Sequence, residues 1–243
     1  MYKQFKHLRL IFLAGVSTLA FVAIPMSAAF AVELVEEAQW FGVSEYDNFG
    51  YSVSTDGTTV VIGAVNEGED QKGGAYVYRR DGDTWSGPQR LVGDEWRARF
   101  GCSVSVDGST MVIGDYRDYE NGANAGAAYI FEYDGNNWNQ TMKWTGESEG
   151  DYFGYSVDID GDTVVIGTDT GTDTNSVYVY ERDGDTWSAP YLLTSGFVDD
   201  YFGRSVSVGG DWLIVGAAGD DQAANNAGAA YVYQLDCSAW SES

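Results

Sequence analysis

Between residues 49 and 240 the chain runs four times through one succession of polar and apolar positions. An alternating stretch comes first: "YSVST" from Tyr51, "CSVSV" from Cys102, "YSVDI" from Tyr155 and "RSVSV" from Arg204. A period of two is that of a strand with one face buried. A continuous apolar run follows, "VVIGA", "MVIGD", "VVIGT" and "LIVGA", suited to a strand covered on both faces. Asp-Gly separates the two at Asp56-Gly57, Asp107-Gly108 and Asp160-Gly161, and Gly209-Gly210 does so in the fourth copy, all strong hairpin signals. A third strand is predicted at "AYVY" and its variants. A fourth begins at Trp85, Trp138, Trp187 or Trp240, with Asp-Gly again joining the two at residues 81–82, 134–135 and 183–184. No stretch carries a helical period long enough to compete.

Phe-Gly opens every copy, at Phe49-Gly50, Phe100-Gly101, Phe153-Gly154 and Phe202-Gly203. Four antiparallel strands in about 50 residues, repeated in tandem, is the pattern of a β-propeller blade. The expected fold is therefore all-β, a β-propeller of four four-stranded blade-like repeats spanning about 49–99, 100–152, 153–201 and 202–243. Residues 32–48 precede the first Phe-Gly where other repeats carry their fourth strand. They are expected to act as a closing strand that completes the last blade and removes exposed edges.

Residues 1–31 read as a signal peptide. Lys3, Lys6 and Arg9 lead an apolar run from Leu10 to Ile24, and Ala29-Phe30-Ala31 supplies the small residues of a cleavage site. The expected location is secreted, periplasmic or cell surface, with no membrane insertion after cleavage. The segment holds three of the 13 bases and none of the 37 acids, so the remainder carries 10 bases against 37 acids, a net charge near −27. Such a balance argues against nucleic acid, because phosphate binding needs a basic surface. The single histidine, His7, falls within the leader. Histidine-dependent nucleophiles and zinc sites are thereby excluded from the rest of the chain. Cys102 and Cys237 occupy unlike places in the repeat and read as a buried and a surface thiol. Asn139-Gln140-Thr141 fits a glycosylation acceptor.

The order Phe-Gly, "SV", "VVIGA" and a glycine-rich lead into "AYVY" resembles the FG-GAP repeat of integrin-α-like propellers, in a bacterial or archaeal secreted form. Gly63-Ala64 and Gly216-Ala217 keep the second half of the motif; Gly114-Asp115 and Gly167-Thr168 depart from it. The resemblance implies a binding or adhesion propeller. Such propellers usually have seven blades, so four repeats imply either a small ring or an incomplete array, with self-association if four blades do not close. The resemblance also implies calcium, held in a long aspartate loop between first and second strands. That loop is absent here, since "DIDGDT" between Val157 and Val164 is a tight turn. Asp160 reads as a turn residue, and Asp158 and Asp162, without consistent counterparts, read as incidental. No cofactor is required on this reading, although calcium stays open.

Chemistry is expected on the loops. Those from second to third strand and from fourth strand to the next blade share one face of a propeller, and they hold 19 of the 37 acids. The candidate binding face comprises Glu67, Glu69, Asp70, Asp118, Glu120, Asp169, Asp173, Asp220 and Asp221. Asp47, Asp151 and Asp200, two residues ahead of Phe-Gly, are the metal candidates. The recurrent Tyr76, Tyr129, Tyr178 and Tyr231 read as packing residues, because a sugar-binding aromatic platform would break the repeat. The expected function is a noncatalytic binding or adhesion module for a protein, glycan or cation, with any protein partner basic. The rivals are a carboxylate-dependent polysaccharide-acting enzyme and a fragment of a longer array.

Overall fold

The computed structural model describes residues 36–170, 175–197, 200–236 and 239–242. The expected signal peptide at residues 1–31, residues 32–35, Asp173, Asp199 and Cys237 lie outside them. Trp40–Ser243 form one compact unit.

The alternating and continuous apolar runs become strands where the pattern places them. The first repeat forms β1 (Phe49–Thr55), β2 (Thr59–Ala64), β3 (Gly74–Asp81), β4 (Thr84–Trp85) and β5 (Gln89–Val92). The second forms β6 (Ser103–Asp107), β7 (Thr110–Asp115), β8 (Ala127–Tyr133) and β9 (Trp138–Thr145). The third has β10 (Ser156–Asp160), β11 (Thr163–Gly167), β12 (Ser176–Asp183), β13 (Thr186–Trp187) and β14 (Tyr191–Thr194). The fourth has β15 (Phe202–Gly209), β16 (Trp212–Ala217), β17 (Ala229–Asp236) and β18 (Ala239–Glu242). Each repeat is one antiparallel sheet whose strands pair in chain order. In the first and third repeats the fourth strand comes in two pieces, β4 with β5 and β13 with β14, each pairing the third strand. The gaps hold Pro88 and Pro190, which have no N–H to give a ladder.

The four sheets stack as propeller blades. Their first strands pack in succession, β1 on β6, β6 on β10 and β10 on β15. One apolar layer joins the first two sheets through Val61, Val77 and Leu91 against Val104, Met111 and Ile113. A second joins Val112 and Ile130 to Val157 and Ile166, and a third joins Val165 and Val179 to Leu213 and Val215.

The two glycines of the repeat have one joint purpose. The Phe-Gly glycine sits at positive φ, +84° at Gly101 and +82° at Gly154, a region closed to most side chains. Its carbonyl then reaches the "IG" glycine of the preceding sheet. A Cβ on Gly63 would lie 2.0 Å from Gly101 O, and one on Gly114 would lie 2.0 Å from Gly154 O. The same carbonyls accept serine hydroxyls from the preceding sheet: Ser52 to Gly101 at 2.8 Å, Ser103 to Gly154 at 3.0 Å, Ser156 to Gly203 at 2.7 Å.

Two expectations are corrected. The fourth sheet takes its outer strand from its own repeat, β18, and no strand forms among the described residues 36–48. Trp40 instead stacks on Tyr78 (4.1 Å between centroids) and meets Trp85 edge-on, covering the outer side of the first sheet. Among the described residues no apolar cluster joins the fourth sheet to the first, so the array of blades is open there. Asp158 is also not incidental. Its Oδ1 accepts the Ser105 hydroxyl at 2.7 Å and its Oδ2 accepts the Val208 N–H at 2.8 Å, tying three sheets together. Asp160 does turn the chain, and its Oδ2 also accepts Gly210 N–H from the next sheet.

Candidate functional site: the loop face and an aromatic cleft

Three loop acids fold back onto the repeat tyrosines. Tyr76 donates its hydroxyl to Glu67 at 2.8 Å, Tyr129 to Asp118 at 2.8 Å and Tyr231 to Asp220 at 2.8 Å. Glu67 also receives Arg90, Asp118 receives Lys143 at 2.8 Å, and Asp220 receives the Gln222 N–H. All three acids are buried. Each tyrosine ring stands edge-on to the Phe of its own Phe-Gly pair, with centroids 5.2, 5.1 and 5.2 Å apart. Burial, reinforced by the acid's hydrogen bond, pushes the Tyr76 and Tyr231 hydroxyls up to about 12. Among the described residues no such acid meets Tyr178 in the third repeat, and Thr170 donates to Asn175 there. Glu67, Asp118 and Asp220 thus anchor loops to the scaffold. Glu69, Asp70, Glu120 and Asp221 are exposed, and Asp169 is half-buried.

Two of the acids ahead of Phe-Gly also serve the backbone. Asp47 Oδ2 accepts Ser44 N–H at 2.9 Å, and Asp151 Oδ2 accepts the N–H groups of Glu147 and Ser148 at 2.9 and 2.8 Å. Asp200 is buried, neither carboxylate oxygen has a hydrogen-bond partner among the described residues, and it lines a recess with Phe197 and Asp220. Among the described residues no group of three or more His, Cys, Asp or Glu is placed to hold a metal. The short hairpin turns do not fit calcium either, because their aspartates are committed to N–H groups. Asp56 takes Thr58 and Thr59, Asp107 takes Gly161, and Asp160 takes Gly210.

Among the described residues Asp115 is the one carboxyl driven far up. Burial raises it to about 7, against hydrogen bonds to Oδ1 from the Arg99 and Arg117 N–H groups and with Asp118 nearby. It is sealed from solvent, its Oδ2 has no partner, and it lines none of the clefts on this face. Cys102 is likewise buried and free, its thiol pushed up to about 12 by burial.

The same loop face carries a cleft of about 520 Å³ lined by Tyr116, Gly150, Tyr152, Tyr155, Asp169, Tyr201 and Arg204. Tyr116 lies 5.4 Å from Tyr155 and 6.1 Å from Tyr152, centroid to centroid. The Arg204 guanidinium sits 4.4 Å from the Tyr201 ring centre and pairs with Asp169 at 3.2 Å. Burial pushes the Asp169 carboxyl up, and Arg204 opposes that shift. Tyr152 and Tyr201 have φ of +50° and +55°, a left-handed conformation costly for a bulky residue. The first repeat has Asn48 at that place, φ +55°, a residue that tolerates it. Of these residues the sequence reading named only Asp169. The available signal was departure from the repeat: Tyr116 stands where other copies have Val65, Asp169 and Ala218, and Arg204 where they have Tyr51, Cys102 and Tyr155.

The architecture is that of a repeat propeller, and the FG-GAP repeat profile matches at residues 42–78, 93–131, 138–180 and 195–233. The chain belongs to the FG-GAP repeat family. No curated protein matches it. Among solved structures it is similar to a mutant Aleuria aurantia lectin in complex with alpha-methyl-L-fucoside, at 11% identity and TM-score 0.47. It is also similar to the fucose-specific lectin from Aleuria aurantia in a mercury-derivative form, at 11% identity and TM-score 0.48. Each match covers 76% of this chain and 55% of the other, so the chain spans about half the length of these lectins.

Proposed function

We propose that the chain is an exported, noncatalytic binding module of the cell surface or its surroundings, and that its ligand is a neutral glycan held in the tyrosine cleft. The observation that carries this is the pair Tyr152 and Tyr201. Both occupy a strained backbone position and both line one cleft, which also holds the Arg204–Asp169 pair. Tyrosine faces suit the C–H faces of a sugar ring, and their hydroxyls suit its rim. A guanidinium beside a carboxylate presents donors and acceptors together, as a hydroxyl pair requires. The excess of acid on the surrounding loops opposes an anionic ligand. Of the carboxyls that burial raises, Asp115 is closed to substrate and Asp169 is paired with Arg204. The module needs no cofactor, and calcium plays no part in this binding.

An array of neutral oligosaccharides, followed by titration calorimetry of the best binder, tests the reading. Tyr201→Ala and Arg204→Met should each weaken binding at least tenfold, or about 1.4 kcal/mol, with melting unchanged, and EDTA should have no effect. Absence of any binder, or indifference to both substitutions, would sink it.

A further inference from the structure

The two ends of the blade array are complementary to each other. Val61, Val112 and Val165 occupy one register position, facing the next sheet, and each is 0% exposed. Ile214 holds that position in the fourth sheet and is 47% exposed. Ala230 is exposed where Ala75, Ala128 and Val177 are fully buried. On the opposite end Val53 is 68% exposed, whereas Val104 and Val157, its equivalents, are 8%.

The polar groups match in the same sense. Three serine-to-glycine bonds link successive sheets. The fourth donor, Ser205, is exposed and has no such acceptor among the described residues. At the other end Gly50, which stands where Gly101, Gly154 and Gly203 accept, is exposed, and no serine among the described residues donates to its carbonyl. A fourth bond of the series would join Ser205 to Gly50.

Two further features suit a blade-to-blade contact at this point. Trp212 stands, 47% exposed, where the other sheets have buried Thr59, Thr110 and Thr163. Trp40, stacked on Tyr78 and edge-on to Trp85, copies the place of Trp144, which stacks on Tyr180 and meets Trp187 edge-on. Trp144 belongs to the outer strand of a preceding sheet, opposite Ala128. Trp40 thus puts on the first sheet the side chain that a preceding blade supplies through Trp144.

We propose that the fourth sheet of one copy packs on the first sheet of a second copy, head to tail, through Ile214 on Val53 and Ser205 on Gly50. The partner is a second copy of this chain, because the two faces continue an interface that occurs three times within it. Two such contacts close a ring of eight blades, within the range of about 4–8 that propellers adopt. A heterologous contact of this kind generates a ring when its rotation closes. The pairing involves residues outside the tyrosine cleft and stands independently of the glycan reading.

Sedimentation of the purified chain should give twice the chain mass. Ile214→Asp and Val53→Asp should each raise the dimer dissociation constant by at least ~100-fold, since each leaves a charge facing an apolar partner. Both positions are exposed in the single chain, so both variants should retain the circular dichroism of the parent. Mixing the two variants restores one intact contact and should recover a one-to-one pair, which face-to-face pairing of like ends would not. A monomeric parent, open polymers, or dimers indifferent to both substitutions would overturn the proposal.

Discussion

The contact between the second and third sheets and the free face of the fourth sheet are built from nearly the same sequence. Val112 lies in "MVIG" and Ile214 in "LIVG", at the same register opposite the third strand. One is wholly buried and the other half exposed. Residue type therefore did not decide burial at this position; the presence or absence of a following sheet did. The difference also separates two uses of one motif. Inside the array it forms core, and at the ends it leaves exposed apolar side chains.

Glycine substitutions should break the comparison most sharply. At Gly154 a Cβ would lie 2.1 Å from Ala127 O and force a positive φ, so Gly154→Ala should destabilise by about 2–5 kcal/mol. At Gly50 the φ is equally positive but nothing lies within 4 Å in the single chain, so Gly50→Ala, measured in a Val53→Asp background that prevents pairing of copies, should cost only about 1–2 kcal/mol. Urea unfolding of the two variants measures the gap; equal losses would mean that strain alone, and not the close approach, sets the glycine.

Truncation of the paired aliphatic residues comes next. Val112→Ala should cost about 2–3 kcal/mol through lost burial and the cavity left behind. Ile214→Ala, measured in a Val53→Asp background that prevents pairing of copies, should cost about 1 kcal/mol or less. The smallest effect concerns the interior carboxyl. With Asp115 raised from 3.8 to about 7, the folded chain keeps a proton that the unfolded chain has released across that window. Stability therefore falls as pH rises between those values and levels off above them. Asp115→Asn should raise the melting temperature by a few degrees at pH 8 relative to the parent and by less at pH 4. An equal gain at both would remove the titration from the account.

Strand order, hairpin turns and the Phe-Gly opening were legible because each depends on neighbours within a few residues. The loop acids were legible as residues but not as roles. Glu67, Asp118 and Asp220 sit in loops that look solvated, yet a tyrosine 9 or 11 residues further on returns to each and buries it. Asp158 seemed without counterpart because its partners, Ser105 and Val208, are 53 and 50 residues away. The cleft draws on three repeats. Its sequence trace was the pair of places where Tyr116 and Arg204 break the repeat.

Alternation, apolar runs and turn dipeptides determined by themselves that this chain forms four like sheets, since such signals act over one hairpin. Tertiary structure decided which valines are core, which acids are anchors, and that the array is left open with Trp40 on the first sheet and β18 on the fourth. Those outcomes depend on what stands across a face from a residue, about 50 positions away along the chain, where a local pattern carries no information.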